Sequence, residues 1–370
     1  MKQTAIRIAI GAALLAAGVV SSDAAQPNAR LNPLTVSMAA ANGKAGSALG
    51  AIDIAITNNS RQTVRVPKWE LPSQDLDANL FQVSRDGKPV RYEGPLVKRA
   101  LPTAEDFAIL KPGQTYRAVV DLSSSYDLSK SGYYSVALIS PLQHASTSGG
   151  VGAGMLKEAN GLPMVIQSAP LRVWIDGGEH LGAVRIDAAA KPGGGTTLAN
   201  GITYKGCTTT RMNLIDTAIT SARAYTENSK GYLNANNTGP RYTTWFGAYT
   251  SSRYNTAKSH YAAIDSAMDQ NGGQITINCG CTSSAYAYVY ANQPYQIYVC
   301  KAFWNAPNTG TDSKAGTLIH EMSHFTVVAG TDDHVYGQSG AKNLAITNPT
   351  NALDNADNHE YFAENTPFQN

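Results

Sequence analysis

Residues 316–337 read GTLIHEMSHFTVVAGTDDHVYG: two histidines four apart, a glutamate directly after the first, then a glycine turn and a pair of aspartates. Residues four apart share one face of a helix, so His320 and His324 can reach a common metal ion while Glu321 is offset toward a water bound there. Asp312 or Ser313 can cap such a helix, and TLI and FTVV supply its apolar faces. A catalytic zinc takes neutral imidazoles, a third protein ligand and an open position. Spacing leaves the third ligand unsettled. The position six residues after His324 is Gly330 rather than histidine; Asp332 and Asp333 follow that turn, and Glu360 and Glu364 stand on a later helix. In any of these versions Glu321 accepts a proton from the polarised water and passes one to a departing amine, which is the chemistry of peptide-bond hydrolysis.

The rest of the chain is compatible with that chemistry. With 370 residues and 43% hydrophobic content, about two domains are expected. A net charge of +2 without a long Lys/Arg block argues against a nucleic-acid surface. Lys2 and Arg7 precede the apolar run IAIGAALLAAGVV and the small residues SSDAA, the pattern of a secretory signal peptide ending near Ala24 or Ala25. The run is too short for a membrane anchor, so export to the extracellular space without stable membrane association is expected. Four cysteines, at 207, 279, 281 and 300, read as two disulfides in an oxidising compartment, and the single residue between Cys279 and Cys281 is too tight for a zinc knuckle.

Two periodicities divide the chain. AIDIAITNN, TVRVP, LFQVSRDGKPVRYEG, TYRAVVDLSS, GYYSVALIS and PLRVWI are strand-like, and their number predicts a β-sandwich over residues 26–187, with His144 and His180 as isolated surface or loop histidines. Residues 188–202 read as a flexible connector. Beyond it, residues 208–233 and RYNTAKSHYAAIDSAMDQ carry helical spacing, and QITINCGC and YQIYVCKAF read as strands of a small sheet. The expected architecture is therefore two-domain: a β-sandwich propeptide, then an α-rich α+β zinc metalloprotease domain over 203–370, preceded by a signal peptide at 1–25.

GTLIHEMSHF, GTDDHVYG and NADNHEYFAEN resemble the deuterolysin family of aspartate-zinc metalloendopeptidases, and especially its peptidyl-Lys members. TYKGC and RYTTWFGAY extend the resemblance over about 203–370, while GPLVKRALPTAEDFAILKPG resembles bacterial propeptides of that family more weakly. The resemblance implies one zinc ion held by His320, His324 and Asp333, Glu321 as general base, and Tyr336 donating a hydrogen bond to the developing oxyanion. It also implies the pairing Cys207 to Cys279 and Cys281 to Cys300, and an S1′ pocket formed by Asp357 and Glu360 that accepts the lysine after the cleaved bond. Three residues apart on a helix, those two acids share a face and repel unless a cation lies between them.

The expected partners are lysine-containing proteins and peptides, together with the chain's own propeptide as inhibitor. Lys98, in PLVKRALP between prolines that stiffen a loop, is the first candidate to fill the acidic pocket without a correctly placed scissile bond, with Lys68 and Lys157 behind it. Cleavage before Lys191 or Lys205 is compatible with self-processing, and a monomer is the default. The competing readings are a zinc endopeptidase of broader specificity with Glu360 as third ligand, and a noncatalytic secreted binding protein.

Overall fold

In the computed structural model, which describes residues 32–41, 49–74, 76–147, 154–178 and 195–370, the amino-terminal strands follow the alternation of their residues. They are β1 (Leu34–Ala40), β2 (Ala51–Asn58), β3 (Val64–Pro67), β4 (Phe81–Arg85), β5 (Lys88–Val90), β6 (Pro95–Lys98), β7 (Phe107–Leu110), β8 (Thr115–Asp121), β9 (Gly132–Leu142), β10 (Met164–Gln167) and β11 (Leu171–Ile175). In β2, Ile52, Ile54 and Ile56 are buried while the residues between them are partly exposed, as a strand covered on one face requires. Asp86 and Gly87, both with positive φ, close the β4–β5 hairpin, a conformation that suits the hairpin's twist and the residue types present. These strands form a three-stranded sheet β1-β2-β8, a five-stranded sheet built on β9, and the pair β3-β7.

One strand leaves this group. The prolines around PLVK suggest a stiff loop, but β6 is the edge of a six-stranded mixed sheet completed by β12 (Thr196–Thr197), β13 (Thr203–Lys205), β14 (Thr276–Asn278), β15 (Ala287–Tyr290) and β16 (Gln296–Val299), in the order β12-β13-β14-β16-β15-β6. Strand β6 runs antiparallel to β15, with Lys98 opposite Ala287 and Val97 opposite Tyr288. Proline is tolerated there because it is the first residue of an edge strand. The hydrophobic core consequently runs without a break from Leu34 to Ala363, and residues 32–370 form a single compact α+β unit in place of two bodies on a loose connector. The connector itself is partly structured, since β12 pairs with β13. The signal-like segment, His180 and Lys191 lie outside the described residues.

The remaining elements are helices: α1 (Thr209–Asn234), α2 (Pro240–Phe246), α3 (Ser251–Met268), α4 (Lys301–Asn305), α5 (Lys314–His324), α6 (Gly337–Thr347), α7 (Pro349–Leu353) and α8 (Ala356–Glu364). Helix α5 packs against α1, α3, α8 and the sheet, and every one of its residues is buried. Cys207 is bonded to Cys279 and Cys281 to Cys300, tying the start of α1 to the strand β14 region and the β14–β15 loop to the end of β16. Among the described residues no helix is long and apolar enough to cross a membrane.

Candidate active site

Helix α5 begins at Ser313, whose hydroxyl accepts the amide N–H of Gly316, so Ser313 and not Asp312 is the cap. The carboxylate of Glu364, at the end of α8, accepts hydrogen bonds from the Ser313 amide and hydroxyl and from the Asp312 amide. Burial, with Glu360 alongside, pushes the Glu364 pKa up to about 9. Glu364 therefore joins two helices and is no metal ligand. A Cβ at Gly316 would clash with Glu364 Oε1, and that carboxylate is held by three hydrogen bonds. Gly316→Ala is expected to lower stability by about 1–3 kcal/mol, read by thermal unfolding; an unchanged midpoint would show that Glu364 can move aside freely.

One turn apart on α5, His320 and His324 direct their Nε2 atoms toward Asp333 Oδ1, at 3.2 and 3.6 Å. The His324 Nδ1–H donates to the Thr331 carbonyl at 2.8 Å, which leaves Nε2 with its lone pair. His320 Nδ1 lies 2.9 Å from Asp357 Oδ1. Such partners on the far nitrogen orient an imidazole for metal ligation. Both Nε2 atoms and both Asp333 oxygens are buried without a hydrogen-bond partner. Buried polar atoms left in that state are uncommon, and three donors within 4.8 Å of one another are the set a zinc ion takes. The residues present fit one zinc ion.

Spacing could not choose between Asp332 and Asp333, but their surroundings can be told apart. Asp332 turns one oxygen to its neighbour's amide and the other to the Asn79 side chain, and it is Asp333 that gathers with the two histidines. Asn355 holds the following backbone: its carbonyl oxygen accepts the amides of His334 and Val335, and its amide donates to the Val335 carbonyl. The loop's geometry thus depends on a buried asparagine that sequence reasoning passed over. Glu360, the other possible third ligand, lies near His320 on the Nδ1 side, 3.3 Å away, and faces a different cation.

That cation is Lys98. Its Nζ lies 2.6 Å from Glu360 Oε2 and 3.3 Å from both Asp357 Oδ1 and Asp312 Oδ1, with Asp357 and Glu360 fully buried. Burial opposes the charge on Lys98, but Asp357, Glu360 and Asp312 outweigh it and hold the ammonium well above the usual lysine pKa. Burial would raise Asp357 too, yet Lys98 and His320 overcome it and keep this carboxyl well below its ordinary range. The backbone beside Lys98 is engaged as well. Tyr336 hydroxyl donates to the Val97 carbonyl at 2.8 Å, and the Lys98 carbonyl accepts the Tyr286 amide at 2.9 Å. An ammonium alone was expected in the pocket; the structure adds the preceding carbonyl, directly under Tyr336. Lys68 donates instead to the Glu105 carbonyl, and among the described residues Lys98 is the lysine paired with Asp357 and Glu360.

Glu321 is fully buried, neither of its oxygens has a hydrogen-bond partner, and burial pushes its pKa well above the ordinary glutamate value. Burial likewise raises Tyr336, so the phenol keeps its proton and remains a donor. His144 departs from the surface-histidine expectation: its amide donates to Glu70 Oε1 at 3.0 Å, and its ring lies 3.5 Å from the same oxygen. Gln143 next to it reaches the metal-site loop, donating to the His334 carbonyl and accepting the Tyr336 amide.

A family model described as Lysine-specific metallo-endopeptidase matches residues 232–364, which include α5, the aspartate loop and α8. An extracellular protease of Aeromonas hydrophila is 43% identical over 321 residues, 86% of this chain and 89% of that protein. A peptidyl-Lys metalloendopeptidase of Grifola frondosa is 37% identical over 331 residues, 85% of this chain and 87% of its own length, and one of Pleurotus ostreatus is 50% identical over 167 residues, 45% of this chain and 98% of that protein. Likeness on this scale, to relatives matched along most of their length, leaves no room for HExxH as a chance pattern: the chain belongs to the aspzincin family, the lysine-specific metallo-endopeptidases, and is a zinc-dependent metalloendopeptidase.

Proposed function

We propose that this chain is the precursor of a secreted endopeptidase that cleaves on the amino side of lysine, with residues 1–25 as signal peptide, 26–187 as a propeptide with a β-sandwich base, 188–202 as the processing region and 203–370 as the mature enzyme. The observation that carries the reading is the seating of Lys98: an ammonium between Asp357 and Glu360, with the carbonyl before it on the Tyr336 hydroxyl. A substrate lysine one residue after the cleaved bond makes the same two contacts. The peptidyl-Lys names of two relatives support the specificity, and the extracellular name of a third supports the location. The Pleurotus protein's match of 167 residues is close in length to 203–370.

In this mechanism His320, His324 and Asp333 hold zinc, which supplies a Lewis acid for the attacking water and the scissile carbonyl. The edge of β15 pairs with the substrate backbone, as it does with β6. Asp357 and Glu360 fix the lysine side chain and with it the register of the bond to be cut. Glu321 takes the proton of the attacking water and returns one to the amine that leaves. Tyr336 donates to the carbonyl oxygen as negative charge develops there.

The same contacts account for latency. Strand β6 is held on one side by β15 and on the other by Arg99, which pairs with Asp77 at 2.9 Å and stacks on Trp69. A strand anchored on both sides is pre-organised and leaves as one unit, which makes it an inhibitor rather than a substrate. Lys98→Ala leaves two buried carboxylates without a cation and is expected to weaken inhibition at least about a hundredfold, measured as peptidase activity of the unprocessed chain. Unchanged latency and processing would remove Lys98 from the inhibitory role.

Processing before Lys205 would have to open the sheet, because Lys205 lies in β13, bonded to β14, with Tyr204 buried beside it. Mass spectrometry of the secreted protein incubated with a lysine-containing substrate, with zinc or with a chelator, tests the whole reading. The expected result is a mature chain beginning between residues 191 and 205, with product peptides that start with lysine and vanish under chelation. Chelator-sensitive cleavage elsewhere would retain the protease and overturn the lysine pocket.

A further inference from the structure

We propose that Asp312 is a third, outer carboxylate of the lysine pocket and sharpens its choice of an ammonium group, an inference that deepens and rests on the reading of Asp357 and Glu360 as the S1′ site. An ammonium has three N–H donors. Around Lys98 Nζ stand three carboxylate oxygens, Glu360 Oε2 at 2.6 Å, Asp357 Oδ1 at 3.3 Å and Asp312 Oδ1 at 3.3 Å, one acceptor for each proton. The inner pair comes from α8, whereas Asp312 comes from the loop before α5 and closes the pocket from another side.

Asp312 is held for this position. Its φ is +52°, a left-handed conformation that few residues other than glycine, asparagine and aspartate adopt. The Tyr361 hydroxyl donates to Oδ1 at 2.7 Å, and the Asp312 amide donates to Glu364 Oε2 at 3.2 Å. Helix capping does not explain the residue, since Ser313 performs it. Asp357 Oδ1 also faces His320 Nδ1, and its Oδ2 accepts the Gly337 amide, so this inner acid is shared with the catalytic framework. Asp312, with its side chain 38% exposed, is the carboxylate that a lysine meets from solvent. The rings of Tyr286 and Tyr361, 5.2 and 5.8 Å from Nζ, add cation–π contacts around the ammonium.

The test uses the full chain, secreted and allowed to process itself, with matched peptides carrying lysine, arginine or the uncharged isostere norleucine after the scissile bond. Asp312→Asn keeps the left-handed backbone and an acceptor for Tyr361 but removes the charge. The expected result is a fall of about fivefold in the lysine-over-norleucine ratio of kcat/KM, carried by KM, with weaker dependence on salt than the wild type. A ratio equal to wild type, or equal losses on both peptides, overturns the role of Asp312. The wild-type ratio is the control for the underlying reading: a clear preference for lysine with an unaffected Asp312→Asn variant sinks only this inference, while no preference in the wild type sinks the S1′ pocket itself. If the variant does not process, the unprocessed chain with Glu321→Gln serves: Asp312→Asn and Lys98→Met should then be non-additive in thermal unfolding, and additivity overturns the contact.

Discussion

Glu321→Gln will lower kcat about 10³- to 10⁴-fold while zinc content and thermal stability stay near those of the wild type, the loss expected when a general base is removed without a change of shape. Glutamine fills the same buried volume, so the packing of α5 against α1 and α8 is kept. What disappears is the only group on this helix that can accept the proton of the attacking water, since His320 and His324 spend their Nε2 atoms on the metal. The full chain carrying Glu321→Gln should also accumulate unprocessed if maturation is self-cleavage. The decisive measurements are steady-state rates on a lysine peptide, zinc by atomic absorption, and the mass of the secreted chain. A rate within tenfold of wild type with zinc retained would remove Glu321 from proton transfer, and loss of zinc would assign it to metal binding instead.

Much of the metal centre was legible because its chemistry is local. His320, Glu321 and His324 lie within one turn of a helix, and helical period alone brings the two imidazoles together. Choosing Asp333 over Asp332 was not possible from the residues themselves, because what tells them apart is distant in sequence: Asn79 takes one oxygen of Asp332, and Asn355 holds the backbone that follows Asp333. Family resemblance pointed to Asp333 where spacing could not. The strand β6 was hidden for a similar reason. PLVK between prolines has the local appearance of a loop, and only its partner β15, far along the chain, makes it a strand. The same distance hid the pairing of His144 with Glu70 and the part of Asp312 in the pocket, since a capping role was the only local use that its sequence position offered. Residues 32–370 form one compact unit where two periodicities suggested two bodies, because periodicity separates strands from helices but is blind to a strand of one region completing the sheet of the other.

The second large effect separates the metal ligand from the specificity acid. Asp333→Ala is expected to abolish zinc retention on dialysis and with it all peptidase activity, because two imidazoles alone leave the site one protein ligand short. Glu360→Gln should retain stoichiometric zinc but lose about 10²- to 10³-fold in kcat/KM on lysine peptides, the cost of leaving a buried ammonium without its nearest counter-charge, at 2.6 Å in the Lys98 complex. Geometry dictates the direction of both results. Asp333 faces the Nε2 atoms of both histidines, whereas Glu360 approaches only His320, from the Nδ1 side, and touches Lys98. The two effects also differ in what they leave behind: zinc-loaded Glu360→Gln should cut a norleucine peptide nearly as well as a lysine peptide, so its deficit lies in selectivity, while Asp333→Ala should cut neither. Metal content measured beside activity for both variants decides the matter. Zinc lost from Glu360→Gln and retained by Asp333→Ala would exchange the two roles and make the pocket filled by Lys98 the metal site.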